Sequence, residues 1–169
     1  QELTGIYGAL IVEPRDGERI RADREHVVLL SDWTGTDPMR ALHMLKAQGD
    51  VFNQNRPVMR DFLRDVRSHG LSATLRDRDM WNAMRMSPTD LGDLSSTVLS
   101  YLVNGNAPGA NWTALFKPGE RVRLRCINGA GNTFYDLRIP GLKLTVVQMD
   151  GQDVEPVTVD EFRFGPGQT

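Results

Sequence analysis

Trp112 to Met149, WTALFKPGERVRLRCINGAGNTFYDLRIPGLKLTVVQM, decides the fold class. From Arg121 to Ile127 the positions Val122, Leu124 and Cys126 alternate with Arg121, Arg123 and Arg125. A period of two sends apolar side chains to one face of a strand and guanidinium groups to the other. Ahead of it, Lys117-Pro118-Gly119-Glu120 supplies a fixed φ and a residue tolerant of positive φ, the chemistry of a turn between two pleated runs. Behind it, Asn128-Gly129-Ala130-Gly131-Asn132 opens a loop, and Thr133 to Ile139 alternates again through Phe134, Tyr135, Leu137 and Ile139. Pro140-Gly141 turns the chain, Leu142, Leu144 and Val146 line one face of the next strand, and Asp150-Gly151 is a further turn signal.

Upstream, Ile6 to Val12 is a continuous apolar run ended by Glu13-Pro14, and Asp16-Gly17 turns toward a second run, His26 to Leu30. Both read as strands. From Thr36 to Leu94 the two-residue period gives way to helix signals. Asp37 before Pro38 is an N-cap followed by a favourable first helical residue, and Met39, Leu42 and Leu45 recur on one face until Gly49. A second helix starts at Pro57 and carries Val58, Phe62 and Val66 on its apolar side to Gly70. Ser72 caps a third, running through Met80, Trp81 and Met84 to Met86, and Ser87-Pro88-Thr89-Asp90 has capping-box spacing for one more short turn. About 55 residues of helix therefore interrupt a β domain. Strand character returns at Thr97 to Val103, closed by Asn104-Gly105. A last strand spans Val157 to Phe164, before Gly165-Pro166-Gly167-Gln168-Thr169.

The 169 residues suit one domain with an insertion. A hydrophobic share of 40% is enough for a core, and no apolar run approaches the roughly 20 residues of a membrane span. Net charge of −2 with mixed signs argues against nucleic acid as a partner. The charged run Glu13 to Glu25 reads as a solvated connection. One cysteine excludes an intrachain disulfide, and Cys126, in phase with Val122 and Leu124, reads as a small buried hydrophobe. Gln1-Glu2-Leu3 carries no signal-peptide pattern, so the chain reads as a processed or excised piece.

Phe116, Pro118-Gly119-Glu120, Val122-Arg123-Leu124-Arg125, Asn128, Val146-Val147, Asp150-Gly151 and Pro156 together resemble the second cupredoxin domain of a multicopper oxidase, in the copper-resistance branch of that family. Gly5 to Ile11 resembles the closing strand of the first domain, with Ala9 where the family leads one to expect proline. Asp23-Arg24-Glu25 through Ser31-Asp32-Trp33 resembles the opening of the second. The resemblance implies a mainly β fold, a cupredoxin-like Greek-key β-sandwich with a helical insertion at about 37–94. Residues 1–14 would close the preceding domain and 15–169 form the second. It further implies a periplasmic parent enzyme that oxidises cuprous ion or phenols at a blue copper and reduces dioxygen to water at a copper cluster. The first and third cupredoxin domains are the implied partners. In the family the glycine-rich turn at Gly165–Gly167 leads into a further strand, so an unfilled sheet edge and self-association through it are expected.

A blue-copper centre needs two His and one Cys, usually with a weak axial Met, and the family's cluster is bound by His-x-His pairs. The chain has three histidines, His26, His43 and His69, none paired as His-x-His and none near Cys126 in sequence. His26 reads as a strand-end surface residue and His43 as a helix residue. His69 lies at a helix C-terminus, where an imidazolium meets the negative end of the dipole. The copper of the intact parent is therefore expected elsewhere, with none tightly bound here and no oxidase activity from this chain alone. Met80, Met84 and Met86 fall within seven residues, Met80 and Met84 at i, i+4, and soft thioethers suit Cu(I). They are the candidate metal residues, although a Met stripe at helical spacing also fits ordinary core. A Met-based Cu(I) carrier and a purely structural assembly domain are the two alternatives to a domain of an oxidase.

Overall fold

The computed structural model describes residues 5–90 and 98–169. The end of the expected insertion (91–94), the expected strand start at Thr97 and the Gln1-Glu2-Leu3 terminus lie outside these residues. Two compact units result, one of residues 1–33 with 100–169 and one of residues 34–99.

The first unit is built on strands. β1 (Arg24–Trp33) has β2 (Ser100–Val103) antiparallel on one side and β3 (Val122–Asn128) parallel on the other. β4 (Tyr135–Arg138) pairs with β7 (Glu161–Phe164), and β5 (Leu144–Met149) with β6 (Gln152–Val159), both antiparallel. The mainly β, cupredoxin-like fold with inserted helices expected from the sequence is the one observed.

Period two explains the core. Val28 and Leu30 of β1 and Phe164 of β7 form its centre, and Val103, Trp112, Leu124, Cys126, Tyr135, Leu137 and Phe162 pack against them. Val28, Leu30 and Phe164 each contribute about 1.5–3 kcal/mol when removed from water. The other face of the sheet carries Glu25, Val27 and Leu29 opposite Arg123, Arg125 and Ile127.

Several strand expectations need correction. Val157–Phe164 is two strands, because the chain bends at Asp160 and passes from the β5 hairpin to the β4 ladder. β6 starts as early as Gln152, since Asp150 (φ 49°) and Gly151 (φ 76°) make a two-residue hairpin turn with the positive φ values that strand twist favours. β4 begins at Tyr135 and not at Thr133, whose hydroxyl and carbonyl are engaged by Asp32 and Asn128. No strand forms at Ile6–Val12, which has no ladder partner among the described residues, nor in the stretch before Lys117, where the Leu115 carbonyl faces His26 at 3.2 Å. The run Glu13–Glu25 is more than a solvated connection: Glu18 and Glu25 hold Arg123 and Arg125. The C-terminal residues also fold back. Asn128 N–H donates to Gln168 O, Gly167 N–H to Asn128 O and Asp150 N–H to Thr169 O.

β2 ends in a side-chain device. Asn104, at φ 48°, accepts from Leu29 N–H (2.8 Å) and donates to Val27 O (2.9 Å), so its amide supplies bonds that a continuing strand would make.

The second unit holds α1 (Pro38–Ala47), α2 (Met59–His69) and α3 (Leu71–Ala83). Asp37 caps α1 by accepting from Arg40 N–H at 2.8 Å. α2 starts two residues after Pro57, because the Asp61 carboxylate reaches back to Val58 N–H and fixes Val58 as the cap. Gly70 (φ 82°) ends α2 and caps α3, displacing the expected Ser72: its carbonyl accepts both the N–H and the hydroxyl of Thr74. Ser87–Asp90 makes one hydrogen-bonded turn and no helix. Gly49 is required by close approach, as a Cβ there would sit 2.8 Å from Arg85 O.

Candidate functional site

α3 carries Met80 on its last turn, Met84 is its C-cap, and Met86 follows Arg85, whose φ of 55° ends the helix. The backbone ties the three together: Met84 N–H donates to Met80 O and Met86 N–H to Trp81 O. Their exposures are 50%, 47% and 50%, so they are not core residues. Six of the chain's seven methionines lie between residues 34 and 99. Met39 and Met59 are exposed as well. Thioethers at a solvent-facing helix end can offer soft ligands to a soft cation. Met86 also lines a shallow groove with Gln48, Asp50, Asn82 and Arg85.

The three histidines stand on three different elements. His26 stands on β1 with its ring edge toward Trp112 (centroids 6.5 Å apart), His43 lies within α1, and His69 is the last residue of α2. Cys126 faces the core, and burial pushes its thiol up to about 11, against the thiolate form a copper ligand requires. Among the described residues no group of three or more His, Cys, Asp or Glu could hold a metal ion.

Sequence reasoning missed the most elaborate polar cluster of the β unit. Asp32 is buried, with one carboxylate oxygen accepting from Gly131 N–H (3.1 Å) and the other from Thr133 Oγ1 (2.7 Å). Asn128, also buried, donates to Thr133 O and Phe164 O and accepts from Ala130 N–H. The loop 129–133 is thereby fastened from both sides. All three tyrosines gather nearby: Tyr135 donates to Ser31 O (2.7 Å), Ser31 Oγ donates to the Tyr7 hydroxyl (2.9 Å), and Tyr101 meets Tyr135 edge to face. Burial, with Asp32 close by, raises the Tyr135 phenol far above its ordinary value, so it stays protonated. A signal for this cluster existed. Asp32 is in phase with Val28 and Leu30, and Asn128 with Leu124 and Cys126, which places polar residues on a core face where they must find partners.

The multicopper oxidase family model matches residues 24–169. Across all 169 residues the chain is 56% identical to copper resistance protein A of Escherichia coli and 50% identical to copper resistance protein A of Pseudomonas syringae pv. tomato, covering 28% of each. It is 29% identical, over 95% of its length, to multicopper oxidase MmcO of Mycobacterium tuberculosis, of which it covers 29%. The chain thus spans under a third of these curated relatives.

Proposed function

We propose a function from one premise: the chain belongs to the multicopper oxidase family, and within it to the copper-resistance branch. On this reading it is the central cupredoxin domain of a periplasmic copper-resistance oxidase, with residues 1–14 closing the preceding domain. The parent oxidises cuprous ion or phenols and passes the electrons to dioxygen. This domain is a frame: it shapes the approach to a redox centre whose ligands come from neighbouring domains. The observation that carries the reading is the dispersal of His26, His43 and His69 over three elements, together with the burial of Cys126. The start of the family match at residue 24 supports a boundary ahead of β1. Copper reconstitution of the isolated chain is expected to give neither a blue thiolate–copper band nor oxygen uptake with cuprous ion or a phenol. Both together would overturn the assignment.

A second reading rests on Met80, Met84 and Met86, whose half-exposed thioethers on α3 favour Cu(I) capture by the helical unit. Anaerobic Cu(I) titration is expected to reveal a site that weakens about a hundredfold in Met80→Leu/Met84→Leu, because leucine keeps the shape and removes the soft donor. Equal affinities would end this reading without touching the first. The neighbours of the frame are the first and third cupredoxin domains. β3 has a single ladder partner among the described residues, and self-association through that edge predicts a dimer by sedimentation. No helix among the described residues is long and apolar enough to cross a membrane.

A further inference from the structure

The stretch between Tyr7 and Glu25 contains no strand or helix before Arg24, yet it is fastened to the β unit at both ends. At its start the Tyr7 hydroxyl accepts from Ser31 Oγ, and the Tyr7 ring lies against Gly129, 3.8 Å from where a Cβ would stand. At its end Glu18 meets Arg123 at 3.2 Å and Arg125 at 2.8 Å, while Glu25 meets the same two guanidinium groups at 2.9 and 2.8 Å. Arg123 also donates to the Ile20 carbonyl. Asp23 N–H donates to Arg121 O, and the Asp23 carboxylate accepts from Arg121 N–H. Arg24 closes the series with a two-pronged pair to Glu120 at 3.0 and 3.1 Å.

These partners share one face. Ser31 and Leu29 of β1 and Arg123 and Arg125 of β3 point away from the core centred on Val28 and Leu30, because strand side chains alternate. The Arg123 and Arg125 side chains are only 11% and 14% exposed although they carry charge, so Glu18 and Glu25 sit over them as counter-ions. Partly buried, charge-assisted pairs of this kind hold geometry more firmly than exposed ones. Exposure separates the fastened ends from the span between them: residues 8–17 are exposed, with Leu10 at 84%, whereas Tyr7, Glu18 and Ile20 are half-buried.

We propose that residues 7–23 are a strap latched across the second face of the β2–β1–β3 sheet, by Tyr7 on Ser31 at one end and, at the other, by Glu18 on Arg123 and Arg125, the pair that Glu25 of β1 also holds. The strap fixes where the preceding segment lies against the domain, a positioning task that a free linker could not perform. Opening it strips Glu18 from both guanidinium groups and leaves them only Glu25, their neighbour on β1.

Trypsin tests the strap, because Arg19 and Arg21 lie within it. Cleavage there follows the population of the open form. In the 169-residue chain, cleavage after Arg19 and Arg21 is expected to be at least about tenfold slower than in a free peptide of residues 12–25. In Arg123→Gln/Arg125→Gln, which leaves the strap sequence intact, it is expected to rise about tenfold while cleavage after Arg64 and Arg76 in the helical unit holds its rate. Wild-type cleavage at the peptide's rate, or a double variant as protected as wild type, overturns the proposal. Should the double variant be cut throughout, Glu18→Gln decides, each chain referred to a peptide with the same change. A rise of about threefold supports the latch, and an unchanged rate refutes it.

Discussion

In the β unit Ser31, Asp32 and Asn128 are buried more completely than Val28 or Leu30, whereas the three helices of the other unit bury only Ala41 and Thr74 among their described residues. The same chain thus uses polar groups in two ways. Where strands meet, each buried amide, hydroxyl or carboxylate of Ser31, Asp32 and Asn128 is matched by a backbone or side-chain partner, and the unit acquires a single shape because an unmatched group there would cost about 1–3 kcal/mol. Where helices cap themselves through Asp37, Asp61 and Gly70, shape is set locally and large apolar side chains remain at the surface. A frame and a displayed surface are different physical objects, and Met80, Met84 and Met86 are on the second.

The largest effect expected from this contrast is that of Asn128→Ala. It strands Ala130 N–H, Thr133 O and Phe164 O together, and urea unfolding followed by tryptophan fluorescence is expected to show a loss of about 3 kcal/mol or more. Leu30→Ala follows with a loss of about 3 kcal/mol, against less than about 1 kcal/mol for Leu63→Ala on α2, which is 52% exposed. Comparable losses at the two leucines would erase the distinction between the units. Met80→Leu/Met84→Leu is expected to leave stability within about 0.5 kcal/mol, so that any change in Cu(I) affinity reflects the donors.

Titration sharpens the comparison further. The Cys126 thiol is raised by burial to about 11 from 9.0. Its contribution to stability is therefore complete below the unfolded value near 9.0 and is lost as pH climbs toward 11. At pH 8 a thiol reagent should label Cys126 only at the rate at which the β unit opens, and immediate labelling would contradict the core position. The smallest effect lies at the acid end. A hydrogen bond from Arg24, helped by Lys117 N–H, lowers Glu120, and Arg163 lowers Asp136. Such depressed carboxylates contribute stability above their ordinary values of 4.5 and 3.8, and lose it as pH falls through the folded ones. Arg24→Gln should flatten the acid limb of the stability curve slightly.

The β class was legible in the Arg121–Ile127 alternation because a two-residue period has one meaning once one face is charged, and Asp37-Pro38 announced α1 through a bond between neighbours in sequence. Other features were not legible, because their partners are far along the chain. Nothing local divides Val157–Phe164 at Asp160; the division appears only when β4 and β5 claim different halves. Glu18 looks like any charge in a mixed run until Arg125, more than a hundred residues away, is set beneath it. Thr133 fits the strand alternation in sequence, and its engagement by Asp32 involves a residue about a hundred positions away. For Met80, Met84 and Met86 spacing alone allowed both core and display, and their exposure favours display.

The chain contains two Asn-Gly pairs, Asn104-Gly105 and Asn128-Gly129. Deamidation at such a pair requires the asparagine side chain to swing onto the following amide nitrogen and close a succinimide ring. Here one carboxamide is pinned between Leu29 and Val27, and the other between Ala130, Thr133 and Phe164. Chemical ageing of this molecule is therefore gated by its folding equilibrium: the native protein keeps its amides, and each excursion to the open state advances the clock.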